Sequence, residues 1–214
     1  MHAPLDPFTA RLRVVAIGRR SLSGDPVAVA AELLAGGATA YMLREKDLAP
    51  DLLYTLGLPI ARLCRAHDAA FIVNGRPDVA LRLGADAVHL GHDAPPPAAV
   101  RAQVGTGLRI GVSAHAGDDL AALRAAGVAY ATYSPVFATR SKPQVGPTVG
   151  LDGLRRAAAA GLPLVALGGI DVAVAPGCIA AGAVGVAAIG ALAGAARPRL
   201  AARAMLEAVT GRTC

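Results

Sequence analysis

The fold of this chain can be read from "AFIVNGRPDVALRLGADAVHLG", residues 70–91. The stretch begins with a short apolar run, Ala70–Asn74, and ends with another, Ala87–Gly91. Between them, Pro77–Leu83 has a helical pattern and stops at Gly84, and glycine just past the last turn signals a helix end. Neither apolar run alternates with polar residues, which is typical of strands buried on both faces in a parallel sheet. The stretch therefore predicts one strand–helix–strand unit.

The same unit recurs along the chain. Eight apolar runs are predicted as strands: Val14–Gly18, Thr39–Arg44, Ala70–Asn74, Ala87–Gly91, Arg109–Ser113, Tyr130–Val136, Leu164–Gly169 and Val184–Gly190. The helical patterns that follow them are residues 25–34, 52–67, 77–83, 96–104, 118–126, 151–160, 172–181 and 198–209. Eight such units predict an α/β fold, a (β/α)8 TIM barrel in a single domain spanning residues 1–214.

A doubly wound open sheet is the rival fold. It rarely needs eight strands in so short a chain, and no GxGxxG motif opens the first helix. The barrel is therefore the preferred prediction. The sequence assigns no role to the residues before Val14.

Composition restricts the class of protein. The chain is 54% hydrophobic and 17% charged, which suits a sizeable core and argues against disorder. The net charge is +6, but the arginines are scattered and aromatic residues make up 3%, so no nucleic-acid partner is predicted. Cys64, Cys178 and Cys214 show no CxxC spacing, and the N-terminus lacks a signal-type apolar region, so a cytoplasmic protein is expected. No membrane partner is expected, because the uncharged residues 172–196 are mostly Ala and Gly.

Rare residue types mark the predicted strand ends. Lysine occurs only twice, at Lys46 and Lys142, and asparagine only once, at Asn74. Arg44 and Lys46 directly follow the second strand. Active sites of such barrels lie at the carboxyl ends of the strands, and a lysine ammonium is a compact donor to phosphate. The pattern predicts an anion site, although exposed turns also favour these residue types.

The loops after strands 6, 7 and 8 carry further phosphate signals. Gly168-Gly169 and Gly190 end strands 7 and 8, where backbone N–H groups commonly bind phosphate in this fold. The long connection after strand 6 carries Thr139, Ser141 and Lys142. Two hydroxyls beside a cation suit an oxyanion, and a long polar loop over the mouth is typical of a lid.

Three histidines are candidate acid–base groups. His89 lies within strand 4, where a core histidine with satisfied hydrogen bonds is the alternative. His92 and His115 follow strand ends, and both can titrate near neutral pH. Their spacing does not predict a histidine-ligated metal site.

Several segments, taken together and in order, resemble the thiamin phosphate synthase family and the related TenI-type thiazole tautomerases. They are "LREK" (43–46), residues 72–91, "GVSAH" (111–115), "SPVFATRSK" (134–142), "GLDGL" (150–154), "PLVALGGID" (163–171) and "GAVGVAAIGAL" (182–192). The resemblance implies a homodimeric (β/α)8 barrel that binds small phosphate substrates. The synthase joins hydroxymethylpyrimidine diphosphate to a thiazole phosphate with release of pyrophosphate and uses Mg²⁺. The tautomerase isomerises a thiazole carboxylate phosphate and needs no cofactor.

The resemblance also implies roles for individual residues. The positions that match diphosphate-binding residues are Arg44, Lys46, Asn74, Ser113 and Lys142. Those assigned to the thiazole phosphate are Thr139 and the backbones of Gly169, Ile189 and Gly190, with Ser141 and Gly168 as further phosphate-binding residues. Residues 134–150 correspond to a flexible lid.

The chain departs from the synthase pattern at the metal site. Gly75 and Ala94 stand where the synthases have two metal-binding aspartates, and Met42 replaces a glutamine. Asp93 remains as a weak candidate ligand for Mg²⁺, which requires hard oxygen donors.

The chain also departs from the tautomerase pattern. "NGR" at 74–76 is similar to the tautomerase branch, but Pro135 stands where a member of that branch has histidine. Proton transfer in a tautomerase would then fall to His92 or His115. Three functions stay open: a synthase as the leading hypothesis, a tautomerase, and a non-catalytic phosphate-ligand-binding regulator of thiamin metabolism.

Overall fold

The computed structural model describes residues 5–22, 24–139 and 147–212. Within them eight parallel strands follow one another around a closed barrel, and the last strand pairs with the first. The strands are β1 Val14–Ile17, β2 Ala40–Leu43, β3 Ala70–Asn74, β4 Ala87–Leu90, β5 Arg109–Ala114, β6 Tyr130–Tyr133, β7 Leu164–Ala166 and β8 Gly185–Ala188. The predicted (β/α)8 barrel is confirmed.

Helices surround the barrel wall, and the first of them closes its lower end. They are α1 Pro7–Ala10, α2 Pro26–Ala35, α3 Pro50–Ala66, α4 Pro77–Leu83, α5 Pro97–Val104, α6 Leu120–Ala125, α7 Gly150–Ala158, α8 Ala175–Ala180 and α9 Pro198–Thr210. A short 3-10 helix spans Arg20–Leu22. In the described part of the chain, no helix combines the length and the apolar character needed to cross a membrane.

Each strand divides its residues between two cores. On β1, Val15 and Ile17 point into the barrel, whereas Val14 and Ala16 point outward against the helices. Because successive side chains of a strand alternate in direction, a strand buried on both faces is apolar throughout. This packing explains why the sequence shows continuous apolar runs rather than alternation.

The lower barrel interior is filled partly from outside the sheet. Four inward positions, on β2, β3, β4 and β8, are alanines: Ala40, Ala70, Ala87 and Ala187. Phe8 of α1 and Leu12 are fully buried in the same cluster and occupy the space that these small residues leave. The sequence did not predict α1, because four residues are too few to show helical periodicity.

Three predicted boundaries were wrong by three residues. β7 ends at Ala166 rather than at Gly169, because the positive φ angles of Gly168 and Gly169 end the extended backbone. β6 ends at Tyr133 rather than at Val136, because Pro135 has no N–H to continue the ladder. Helix α8 begins at Ala175 rather than at residue 172. Asp171 accepts hydrogen bonds from the N–H groups of Ala173 and Val174, at 2.9 and 3.1 Å, and holds the preceding residues in a turn.

Candidate active site

A cavity of about 180 Å³ opens at the carboxyl ends of the barrel strands. All eight strands or the loops after them contribute to its wall: Ile17, Met42, Arg44, Asn74, His89, Ser113, His115, Thr132, Ser134, Pro135, Thr139, Leu167–Ile170 and Ala187–Ala191. The floor is apolar, whereas the upper wall offers hydroxyl, amide, guanidinium and backbone groups. The cavity therefore suits a small ligand with an apolar body and an anionic group.

Most residues predicted for the site meet in this cavity. Those that line it are Arg44, Asn74, Ser113, His115, Thr139, Gly168, Gly169, Ile189 and Gly190. Lys46 lines a neighbouring groove instead, although Asn74 borders both spaces. Ser141, Lys142 and most of the predicted lid lie outside the described residues. The part of this loop that is described, including Pro135 and Thr139, borders the cavity.

Arg44 is a half-buried cation beside a second arginine that the sequence did not single out. Ile17 pairs in register with Met42, so Arg19 and Arg44, each two residues further on, end neighbouring strands at the same level. Burial lowers the pKa of Arg44, the positive charge of Arg19 lowers it further, and Glu45 acts in the opposite direction. Two like charges make this end of the barrel electropositive, and Arg44 is the member of the pair that lines the cavity.

Glu45 has a different partner. Its carboxylate accepts the backbone N–H of Arg20 at 2.7 Å and forms an ion pair with the Arg20 guanidinium at 3.6 Å. Burial raises the pKa of Glu45, and these contacts oppose that shift. Glu45 therefore buttresses the β1 loop, which leaves the positive charge of Arg44 directed at the cavity.

His89 lies in the wall of the cavity. The residue is 3% exposed and lines the cavity from β4. Nδ1 is 3.0 Å from the phenol oxygen of Tyr130, and Nε2 is 3.1 Å from Oγ of Ser113 and 3.4 Å from Oγ1 of Thr132. The hydroxyl of Thr132 was not predicted, although it faces inward two residues after Tyr130, as strand alternation requires.

The two histidines at the rim do not have equal access to the cavity. His115 lines it, and the His115 backbone N–H donates to Oδ2 of Asp118 at 2.8 Å. The same Oδ2 lies 3.9 Å from Nδ1 of His115. His92 packs edge-on against His115, with ring centroids 5.6 Å apart, and does not border the cavity. Of the two histidines at the rim, His115 is the one placed to reach a ligand in the cavity.

The residues of the neighbouring groove do not fit the two-carboxylate Mg²⁺ site that the family resemblance implies. Gly75 and Ala94 occupy the two aspartate positions, and both line this groove. Its carboxylates are those of Glu45, which is held by Arg20, and exposed Asp93. Among the residues in the described ranges, no cluster of three His, Cys, Asp or Glu side chains could hold a metal ion. One free carboxylate is a poor donor set for a hard cation.

Comparisons with known proteins agree with the barrel and identify its family. The family model for thiamine monophosphate synthase matches residues 13–192. A provisionally named thiamine-phosphate synthase of Geobacter sulfurreducens is 42% identical over 190 residues, which cover 88% of this chain and 89% of that protein. The thiamine-phosphate synthase of Moorella thermoacetica is 44% identical over 136 residues, 63% of this chain and 65% of that protein.

A solved structure shows the same architecture. Thiamine phosphate pyrophosphorylase from Pyrococcus furiosus superimposes with a TM-score of 0.87 and 31% sequence identity. The match covers 95% of this chain and 98% of that one, so the two barrels correspond over nearly their whole length.

Proposed function

Because the chain belongs to the thiamine monophosphate synthase family, we propose that it is a thiamine-phosphate synthase. In this proposal it joins hydroxymethylpyrimidine diphosphate to a thiazole phosphate and releases pyrophosphate. The observation that carries the proposal is the convergence of Arg44, Asn74, Ser113 and Thr139 with the glycine backbones of the β7 and β8 loops around one cavity.

The cavity offers two ends for two phosphate-bearing substrates. Arg44, Asn74 and Ser113 stand on the β2, β3 and β5 side, and we assign the diphosphate to them. Gly169 and Gly190 stand on the opposite side of the barrel, with Thr139 nearby in the β6 loop. Backbone N–H groups of these glycines suit the thiazole phosphate. Lys46 lines the neighbouring groove, and the family resemblance is the basis for assigning it to the diphosphate. The same resemblance assigns Lys142, which lies outside the described residues.

The proposed reaction is dissociative. The bond between the pyrimidine methylene carbon and the diphosphate oxygen breaks, and its electron pair leaves with pyrophosphate. The lone pair of the thiazole nitrogen then forms the new carbon–nitrogen bond. Arg44 and the Ser113 hydroxyl stabilise the negative charge that grows on the leaving group, because preformed donors in a partly dry site need no reorganisation. Departure of pyrophosphate leaves a carbocation on the pyrimidine methylene carbon. The apolar floor at Met42 and Leu167 limits attack on this carbocation by water.

The test is a pyrophosphate-release assay on the full chain with both substrates, in Mg²⁺ and in EDTA. The proposal predicts stoichiometric pyrophosphate that depends on both substrates. Since Gly75 and Ala94 replace the two aspartates, we expect a weaker dependence on Mg²⁺ than in a family member that has both. The double variant Gly75→Asp with Ala94→Asp should strengthen that dependence. No pyrophosphate at saturating substrates and metal would contradict the proposal.

A thiazole tautomerase is the second candidate, and the His115 side chain in the cavity favours it. Its test is isomerisation of a thiazole carboxylate phosphate in EDTA, without any pyrimidine substrate. Loss of that activity in His115→Gln, with retention in His92→Gln, would select this function. A regulator without catalysis would bind a thiazole phosphate in calorimetry. It would convert neither the two synthase substrates nor the thiazole carboxylate phosphate.

The family resemblance also supports a cytoplasmic homodimer as part of the proposal. Sedimentation equilibrium of the full chain tests the dimer, and a monomer at micromolar concentration would contradict it.

A further inference from the structure

Three residues form one row across the inner wall of the barrel. His89 on β4 pairs in register with Gly111 on β5, and Gly111 pairs with Tyr130 on β6. A Cβ atom at Gly111 would lie 2.1 Å from Cε1 of Tyr130. The Tyr130 ring therefore occupies the space in front of Gly111 and crosses β5 to reach His89.

The phenol of Tyr130 must donate its proton. Tyr130 is 0% exposed and packs in the apolar interior, with its ring centroid 5.8 Å from that of Phe8. Burial raises the pKa of Tyr130, so the phenol keeps its proton at neutral pH. A buried O–H without an acceptor is strongly unfavourable. Nδ1 of His89, at 3.0 Å, is the acceptor within reach among the described residues.

This contact sets the protonation of His89. If Nδ1 accepts the phenol hydrogen bond, the neutral ring carries its proton on Nε2. A doubly protonated ring would direct an N–H at the phenol and leave the phenol O–H without its acceptor. Nε2–H then donates to Oγ of Ser113 at 3.1 Å, with Oγ1 of Thr132 as a longer second acceptor at 3.4 Å.

The direction of this hydrogen bond determines what Ser113 can do. Ser113 lines the cavity on the side of Arg44 and Asn74. Because His89 donates to the oxygen of Ser113, the single hydroxyl proton of Ser113 is directed to another acceptor. An anionic ligand in the cavity supplies such an acceptor, and hydrogen bonds to charged acceptors are the strong ones.

We propose that Tyr130 is a positioning residue that acts through His89 to orient the Ser113 hydroxyl as a hydrogen-bond donor to a phosphate oxygen of the substrate. We call the hydrogen-bond chain Tyr130–His89–Ser113 the relay. Its direction, with each residue donating to the next, follows from these three residues alone. Its consequence for turnover rests on the proposed function. Two measurements separate these parts.

The first measurement is the tautomer of His89 by long-range ¹H–¹⁵N NMR on the full chain labelled at its histidines. The signals of His89 are identified by their loss in His89→Gln. At pH 7 we expect Nε2 protonated and Nδ1 unprotonated. In Tyr130→Phe, where only the hydroxyl is removed, we expect a mixture of tautomers. A wild-type ring with its proton on Nδ1, or on both nitrogens, would overturn the relay whatever the protein catalyses.

The second measurement is the turnover number for pyrophosphate release in single and double variants. Ser113→Ala should lower it by about 100-fold, as expected for loss of a donor to developing charge. Tyr130→Phe should lower it by about tenfold, with little change in KM. The double variant should be no slower than Ser113→Ala, because both changes interrupt one chain of hydrogen bonds. Effects that multiply would show that Tyr130 acts independently and would overturn the proposal.

Tyr41→Phe is the matched control. Tyr41 is also a buried barrel tyrosine, at 2% exposure, but it faces the outer core. The turnover number of the Tyr41→Phe variant should therefore stay within about twofold of wild type. If the wild type releases no pyrophosphate, the proposed function fails, and the NMR result still decides the direction of the relay.

Discussion

At the scale of single residues, the site combines an arginine side chain with buried hydroxyls. Arg44 is half-buried beside Arg19, and Glu45, its acidic neighbour in sequence, is held by Arg20. Within the described part of the chain, the Arg44 guanidinium therefore stands at the edge of a cavity whose other polar groups are uncharged or lie at the rim. A partly desolvated arginine attracts an anion more strongly than an exposed one, because screening by water is weaker there.

Arg44→Ala should weaken the binding of inorganic pyrophosphate by about 10- to 100-fold, the range expected when one charge-assisted hydrogen bond is lost. Isothermal titration calorimetry measures the change. Arg62→Ala removes the same charge from an exposed position on α3 and should leave the affinity within about twofold. Equal effects of the two substitutions would show that net charge, rather than the site, governs binding.

At the scale of elements, α1 differs from the other helices of the described residues, because its Phe8 enters the lower barrel interior. Asp6 caps it by accepting the N–H groups of Phe8 and Thr9, at 3.0 and 3.3 Å. Phe8 contacts the Tyr130 ring, and the Arg109 guanidinium carbon lies 4.8 Å from the centroid of the Phe8 ring. The helix therefore closes the barrel bottom and supports the row of residues that reaches His89.

Phe8→Ala should lower the free energy of unfolding by about 3–5 kcal/mol, as expected when a buried phenylalanine is truncated without repacking. Urea denaturation followed by circular dichroism measures this. Leu5→Ala, at a position that is 45% exposed just before α1, should change stability by less than about 0.5 kcal/mol. A small effect at Phe8 would mean that the lower barrel is closed without α1.

At the scale of the whole molecule, the barrel is closed both in its sheet and in its outer layer of helices. β1 pairs with β8 in the sheet, and α2 packs against α9 in the outer layer. The outer contact depends on Gly36, where a Cβ atom would lie 2.2 Å from the backbone oxygen of Arg199. Since backbone cannot rotate away as a side chain can, the two helices would have to separate.

Gly36→Ala should therefore destabilise the protein by about 1–3 kcal/mol through overpacking. Gly107→Ala is the control, because a Cβ atom there meets nothing within 4 Å. The thermal midpoint and the urea midpoint should both fall for the first variant and stay unchanged for the second. Unaltered stability of Gly36→Ala would show that α9 can shift at little cost.

The sequence by itself determined the order of the eight strands and of the helices that follow them, and it placed several polar residues at the mouth of the barrel. Continuous apolar runs identified doubly buried strands, and parallel strands bring their carboxyl ends to one mouth. Arg44, Asn74 and Ser113 could therefore be placed at the site from their position after strands, without any knowledge of distances. Polar residues that follow a strand end are the signal that local pattern carries.

Only the tertiary structure decided which polar groups share the cavity and which partners they have. Lys46 follows the same strand as Arg44 but lies in the neighbouring groove, because the chain turns between them. The sequence left open whether His89 was a core residue or an acid–base group, and its hydroxyl partners come from β5 and β6. Helix α1 left no periodic signal, because its stability comes from contacts across the barrel rather than from neighbours in sequence. Contacts between residues distant in sequence depend on the barrel register and on positions where glycine leaves space, such as Gly111. Local sequence patterns contain neither kind of information.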